Sequence, residues 1–161
     1  MADINKARRM LWLFGLFKIP LIGYVRPRLL EITDERMVIR LPLRRRTRNH
    51  LGSMYFGALA IGADLAGAFQ AFYIAGALGR KMSIVFKDFQ AEFVKRPEAD
   101  VYFVAEAGSQ IRQMIKESVA TGKRITRQVE IKAYTGYPQQ PEQVAHFRLG
   151  LSVRDKTPKS E

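Results

Sequence analysis

A single charged residue interrupts the most apolar stretch of this chain. Residues 51–79 are mostly alanine, glycine and large apolar side chains, and Asp64 is the only one of them that carries a charge. Burying a carboxylate costs free energy unless the group is protonated, paired or used in a reaction. Asp64 is therefore predicted either to attack a carbonyl carbon or activate a water molecule, or to be neutralised by an arginine across a subunit interface.

Gly57 precedes Asp64 by seven residues, so a helix places both on the same side, about 10 Å apart. With Ser53 as the N-cap, Gly57 lies in the first turn, where backbone N–H groups have no partner within the helix. Its N–H could stabilise a developing oxyanion, or the glycine could only permit close packing. One helix cannot easily supply both Gly57 and Asp64 to a single site.

Other polar residues near this stretch are candidates for a site. Asn49 could orient a water molecule or a substrate carbonyl, or it could be a structural residue of a turn. Tyr55 could donate a hydrogen bond or only line a pocket. His50 is expected in a solvated loop, and His146 on the exposed face of a strand.

Two apolar segments have to be assigned to the membrane or to the fold. The stretch 51–79 is long enough to cross a bilayer, but its many small residues and the alternating strands that follow predict a buried central helix. Residues 1–24 predict an amphipathic helix that ends at Pro20 and could rest on a membrane surface. Lys18 interrupts its apolar part and no small-x-small cleavage site follows, so we expect a cytoplasmic protein.

Most of the remaining chain predicts strands. The period-two alternation and the turn residues predict strands at 28–32, 36–43, 84–94, 100–107, 128–134 and 145–153, a helix at 109–120 and a loose tail at 155–161. An antiparallel sheet wrapped around one long apolar helix accommodates this order with short connections. This α+β arrangement is the hotdog fold, and we expect residues 1–161 to form a single hotdog domain.

The start of the apolar stretch also resembles a known family. The pattern N-x-x-G-x-x-H-G-G of the hotdog acyl-CoA thioesterases is similar to the segment Asn49-x-x-Gly52-x-x-Tyr55-Phe56-Gly57. In that family an acidic residue follows the motif histidine by nine positions, and Asp64 follows Tyr55 by nine. Similar matches are Phe93-Val94-Lys95-Arg96-Pro97 to an F-L-R-P strand and Gly122-Lys123-Arg124 to a G-R turn.

Two positions depart from the family pattern. Tyr55 replaces the histidine and Phe56 the first of two glycines. The variant looks most like a thioesterase-like subgroup that includes the C-terminal domain of YiiD.

The resemblance implies an acyl-CoA thioesterase. Asp64 would act as general base or nucleophile, the Gly57 N–H would polarise the carbonyl, and Asn49 would help to position the reacting groups. The acid and the oxyanion donor come from different subunits in that family, which implies a homodimer or a tetramer. The acyl chain is expected in a tunnel beside the central helix, lined by residues such as Phe56, Leu59 and Phe89.

The charge balance favours anionic partners. Lys and Arg number 27 and Asp and Glu 15, which gives a net charge of +12. The run Arg44-Arg45-Arg46-Thr47-Arg48, with Lys95, Arg96, Lys123 and Arg124, could hold the phosphates of coenzyme A or could be a solvated face. No nucleic-acid-binding motif accompanies these residues. The chain has no cysteine, and no metal or redox cofactor is implied.

A second class of function remains open. A non-catalytic acyl or lipid carrier would explain the missing His-Gly-Gly motif and the basic, aromatic N-terminus. Such a carrier could contact a membrane through Leu11, Trp12, Phe14 and Phe17.

Overall fold

The chain begins with a pair of short helices that fold back on each other. The computed structural model describes residues 3–158. Helix α1 (Ile4–Leu13) continues into a π-helical turn (Phe14–Lys18), and helix α2 (Pro20–Val25) follows. The first helix ends before Pro20 as predicted, but proline is also well suited to the first position of a new helix. We call residues 4–25 the N-terminal hairpin.

The hairpin closes at two glycines. A Cβ built on Gly23 would lie 2.5 Å from the carbonyl oxygen of Gly15, and one built on Gly15 would lie 2.9 Å from the Cα of Gly23. Only glycine at these positions permits such a close approach of the two backbones. The expected single amphipathic helix is therefore a hairpin, and residues 1 and 2 lie outside the described part of the chain.

All six strands form one antiparallel sheet. Its members are β1 (Arg28–Ile32), β2 (Met37–Leu41), β3 (Met82–Phe93), β4 (Val101–Ala105), β5 (Ile125–Thr135) and β6 (Glu142–Asp155). The strand order is β1-β2-β4-β5-β6-β3, so β3 lies at an edge and pairs only with β6 among the described strands. The predicted hairpin around residues 33–35 is the β1–β2 pair.

The long apolar helix lies across this sheet. It consists of α3 (Phe56–Asp64), a π-helical turn (Leu65–Phe69) and α4 (Gln70–Ala77), and we call Phe56–Ala77 the central helix. Its length and composition would suit a membrane span, but 67% of its most apolar window is buried inside the fold. The prediction of a long apolar helix packed on an antiparallel sheet is confirmed.

The core has two parts, one on each side of the central helix. The larger part joins the helix to strands β2, β4, β5 and β6 and to α5 (Gly108–Thr121). The smaller part seals the hairpin against β1, β2 and the π-helical turn of the central helix, with Leu11, Leu65 and Phe69 almost fully buried. The hairpin is thus anchored to the domain by one face.

Two local predictions need correction. The central helix begins at Phe56, with Tyr55 at the N-cap position, so Ser53 is not its cap. The predicted loose tail begins later than expected, because the Lys156 N–H donates to the Lys81 carbonyl and Thr157 hydrogen-bonds to Asp155. Residues 159–161 lie outside the described range.

Candidate active site on the open face of the central helix

One stripe of the central helix is left partly uncovered. Gly57, Ala60, Ile61, Asp64 and Ala68 are half-buried, whereas the residues between them are mostly buried. Spacings of three and four residues place them along one side of the helix. We call these five residues the open stripe. Asp64 and Gly57 therefore share one accessible face, as their seven-residue spacing predicts.

Asp64 has no polar partner in the described part of the chain. Within residues 3–158 its carboxylate makes neither a hydrogen bond nor an ion pair, although it is mostly covered by apolar neighbours. Burial raises the pKa of Asp64 to about 6, because the ionised form loses solvation without gaining a compensating contact. A carboxylate with such a pKa is ionised at neutral pH and is a better proton acceptor than a solvated one.

The first turn of the central helix offers free backbone donors. The carbonyl of Tyr55 accepts the N–H groups of Ala58 and Leu59, at 2.9 and 3.1 Å. The N–H groups of Phe56 and Gly57 find no acceptor among the described residues, and no side chain caps this end. Unpaired donors at the positive end of a helix are suited to binding an oxyanion.

Tyr55 lies over Gly57. A Cβ at position 57 would overlap Cε1 of the Tyr55 ring, so the packing explanation for this glycine also has structural support. The Tyr55 side chain is half exposed and packs against Phe56, with ring centroids 4.8 Å apart. Its hydroxyl makes no hydrogen bond within the described chain, so it can reach a ligand.

Asn49 organises the loop that precedes the helix. Its Oδ1 accepts the backbone N–H groups of Leu51 and Ser53, and its Nδ2 donates to Ser53 Oγ at 3.1 Å. Gly52 completes this turn with a φ of 83°, which favours glycine. The polar atoms of Asn49 are engaged in the turn, which supports the structural alternative.

The edge strand β3 lies beside this end of the helix. The Met54 N–H donates to the Pro97 carbonyl just beyond β3, which brings the helix start to the Phe93 end of the strand. Large apolar side chains are exposed along and just after β3: Val85 48%, Phe89 43%, Phe93 52% and Val94 58%. An unpaired edge with exposed apolar side chains is a template for pairing with another chain.

Residues 3–158 of a single chain do not enclose the predicted acyl tunnel. Phe56 is 60% exposed, Phe89 is partly covered by Phe147, and Leu59 is only 2% exposed inside the core. Leu59 therefore lines no accessible surface of the single chain, and its place in an acyl tunnel stays a prediction. A cavity of about 920 Å³ lies at the N-terminal hairpin and one of about 610 Å³ on the outer face of the sheet, and neither includes Asp64.

The predicted basic residues at positions 96, 123 and 124 lie far apart in the chain's fold. Arg96 follows the Phe93 end of β3 and pairs with Glu98 at 3.4 Å, whereas Arg124 donates to Ser83 Oγ near the opposite end. The 12 residues of β3 separate these ends by roughly 36 Å at the usual strand rise. Lys123 is exposed and adjoins Arg124.

The two histidines differ in their surroundings. His50 is exposed in its loop, as predicted. His146 is not: its side chain is 17% exposed, and Nε2 lies 3.6 Å from a Glu130 carboxylate oxygen. Among residues 3–158 no group of three or more histidine or carboxylate side chains could hold a metal ion.

One cluster was not anticipated from the sequence. Arg8, Arg26, Arg28 and Arg46 line the cavity at the hairpin. In the sequence, Arg46 belongs to the basic run 44–48, and Arg26 and Arg28 flank Pro27 directly after an apolar helix, but neither segment predicts this grouping.

The antiparallel sheet and the long apolar helix together define a hotdog fold. The chain matches a family described as a domain of unknown function, DUF4442, over residues 7–149, and it belongs to that family. No curated protein matches its sequence.

Several solved structures share the fold at low sequence identity. A Chlorobaculum tepidum protein of unknown function has a TM-score of 0.81 and 11% identity, covering 94% of this chain and 96% of its own. A thioesterase from Haemophilus influenzae has a TM-score of 0.69 and 14% identity, covering 100% and 96%. A thioesterase family protein from Silicibacter pomeroyi has a TM-score of 0.69 and 16% identity, covering 95% and 99%. The predicted hotdog fold is thereby confirmed.

Proposed function

We propose that this protein hydrolyses acyl-CoA thioesters at a site built from two copies of the chain. The observation that carries the proposal is Asp64, an unpaired and mostly buried carboxylate on the same open stripe as the free N–H of Gly57. Proteins described as thioesterases share the fold, which supports the same reaction class here.

The chemistry needs one base and one oxyanion donor. The ionised Asp64 takes a proton from a water molecule, whose oxygen attacks the thioester carbonyl carbon. The carbonyl oxygen gains negative charge and accepts a hydrogen bond from the Gly57 N–H. The C–S bond then breaks, and the leaving thiolate takes the proton from Asp64. Direct attack by the carboxylate, through an anhydride that water then hydrolyses, uses the same two groups.

A second copy brings these groups together. Gly57 and Asp64 of one chain are about 10 Å apart along the helix axis, too far to act on one carbonyl. In two antiparallel helices related by a two-fold axis between Ala60 and Ile61, Gly57 of each faces Asp64 of the other. Ala60 is small and lies on the open stripe, so it permits the close approach.

The β3 edge supports the same homodimer. Antiparallel pairing of two β3 edges would cover their exposed apolar side chains and satisfy their free backbone groups. It would also carry Arg96 of one copy toward the Lys123–Arg124 end of the other. This arrangement offers cations from both chains to the phosphates of coenzyme A. A tetramer would be two such dimers.

Thiol release from short, medium, long and aromatic acyl-CoAs tests the proposal. We expect turnover of at least one class and a loss of about 100-fold or more in kcat for Asp64→Asn. Asp34→Asn is the matched control, because it removes the same charge from an exposed turn residue. Equal turnover by the Asp64→Asn variant would contradict the proposed role of this carboxylate.

Binding without hydrolysis is the second candidate function. The ring of Tyr55 packs closely against Gly57, where the family pattern has a histidine and a glycine. A chain that binds acyl-CoA but turns over none of the panel would be a non-catalytic acyl carrier. In that outcome the hydrolase proposal is overturned.

A further inference from the structure

The N-terminal hairpin exposes a large apolar surface on the side that faces away from the domain. Trp12 is 64% exposed, Leu16 50%, Phe17 72%, Leu21 58% and Tyr24 56%. The opposite side, with Ala7, Leu11 and Ile22, is buried in the smaller core. The exposed side chains are therefore not required to hold the hairpin in place, and they form one surface around its turn.

Cations surround this apolar surface. Arg8, Arg26, Arg28 and Arg46 line the adjoining cavity of about 920 Å³. None of the four forms an ion pair with the described residues 3–158. Asp3 is the only acidic residue among the first 30, whereas Lys6, Arg9 and Lys18 add further positive charge.

Two of the four arginines, Arg8 and Arg46, are held at the cavity by contacts with other residues of the chain. Arg8 Nε donates to the Leu29 carbonyl at 2.9 Å. Arg46 Nη1 donates to the Tyr24 carbonyl at 3.0 Å, and Arg46 Cζ lies 5.1 Å from the centroid of the Tyr24 ring. These contacts use backbone carbonyls and a ring face, so the positive charge of each guanidinium is not neutralised.

We propose that the hairpin docks on the surface of an anionic phospholipid bilayer. The apolar side chains at its turn would enter the boundary between headgroups and acyl chains, and the arginine-lined cavity would hold a lipid phosphate. Apolar and aromatic side chains flanked by arginine and lysine, with almost no acidic residues, are the chemistry that such a surface binds. A second copy of the same basic surface would be repelled by its charge. The proposal does not depend on the hydrolase activity.

The single tryptophan of the chain reports this docking directly. Trp12 lies on the proposed contact surface, and no other tryptophan contributes to the emission. The full-length protein is titrated with phosphatidylcholine vesicles with and without phosphatidylglycerol, and with vesicles that carry brominated acyl chains. We expect a blue shift and bromine quenching on anionic vesicles, weakened by added salt.

Two pairs of variants separate charge from apolar contact. Arg26→Gln with Arg28→Gln should weaken binding to anionic vesicles roughly 25-fold, at about fivefold for each arginine. Lys116→Gln with Arg154→Gln, on exposed surfaces elsewhere, removes the same charge and should leave binding unchanged. Phe17→Ser should weaken binding roughly tenfold or more, whereas Leu78→Ser, which alters a partly exposed leucine of the central helix region, should not.

The outcomes that overturn the proposal are distinct. An unchanged Trp12 emission on anionic vesicles, or equal binding by the arginine double variant and its control, would reject membrane docking. A Trp12 emission that is already blue-shifted in buffer, together with an assembly that Phe17→Ser dissociates, would assign this surface to contact between copies of the chain. These outcomes do not bear on the hydrolase proposal, which acyl-CoA hydrolysis by the same samples tests separately.

Discussion

At the scale of single residues, the raised pKa of Asp64 links the site to stability. The pKa rises from 3.8 to about 6 because burial disfavours the ionised form. Folding therefore favours the protonated carboxyl, and stability is lost as pH rises through the folded-state pKa. Asp64→Asn should raise the free energy of unfolding by about 3 kcal/mol at about pH 8, with the gain shrinking toward zero near pH 4.

Chemical denaturation at several pH values checks this expectation. If an arginine across an interface neutralises Asp64 instead, Asp64→Asn should lower the free energy of unfolding. A variant that is less stable than the parent near neutral pH would show that the carboxylate is paired.

The same pKa should determine how the rate of the proposed reaction falls at acid pH. A general base has to be ionised, so kcat/KM should fall as pH decreases through about 6, tenfold for each pH unit below it. Initial rates on the best acyl-CoA substrate measure this limb. A profile that stays flat from about pH 5 to pH 8 would contradict a role for Asp64 as base.

Arg26 shows local backbone strain beside the hairpin. It follows α2 with a φ of 54°, a left-handed conformation that glycine adopts more easily. Arg26→Gly should therefore raise the free energy of unfolding by up to about 1 kcal/mol. Denaturant unfolding of this variant measures the gain, and a clear loss of stability would show that the arginine side chain itself holds the hairpin in place.

At the scale of elements, the contact between Gly15 and Gly23 holds the hairpin closed. Gly23→Ala places a Cβ 2.5 Å from a backbone oxygen that cannot move independently. We expect a loss of about 1–3 kcal/mol in the free energy of unfolding, because the two helices must separate. Gly76→Ala, with no atom within 4 Å of the new Cβ, is the matched control and should add about 0.5–1 kcal/mol. If both variants lost a similar amount of stability, the loss would come from replacing a helical glycine and not from the contact between Gly15 and Gly23.

The elements differ in how far the sequence predicts them. The alternation of apolar and polar residues predicts the ends of β5 and β6 to within three residues, because one face of each strand is buried. The start of the central helix was misplaced, because Asn49 bonds Ser53 into a turn and removes it from the helix end. The fold-back of the hairpin depends on a contact between two glycines eight residues apart, which helical periodicity does not encode.

At the scale of the whole molecule, the candidate site was only partly predictable. Helical periodicity alone placed Gly57 and Asp64 on one face, and the structure shows that this face is open. The sequence groups Arg96 with Lys123 and Arg124, but within one chain the length of β3 separates them. Such distances depend on tertiary arrangement and on assembly, and motif spacing does not specify either.

A site shared between two chains can be tested by subunit complementation. Asp64→Asn removes the base. Gly57→Pro removes the N–H donor in the first turn of the helix, where proline is tolerated, and the half-exposed Tyr55 ring turns aside from the new Cβ. Each variant alone should be inactive and folded. The two are co-expressed with different affinity tags, and the mixed dimer is isolated by sequential purification.

The activity of this mixed dimer on the best acyl-CoA substrate is the decisive measurement. One of its two sites combines an intact Asp64 with an intact Gly57 from the other chain, so we predict recovery of about half of the wild-type activity. A mixed dimer as inactive as its two parents would contradict a site assembled across the two-fold axis.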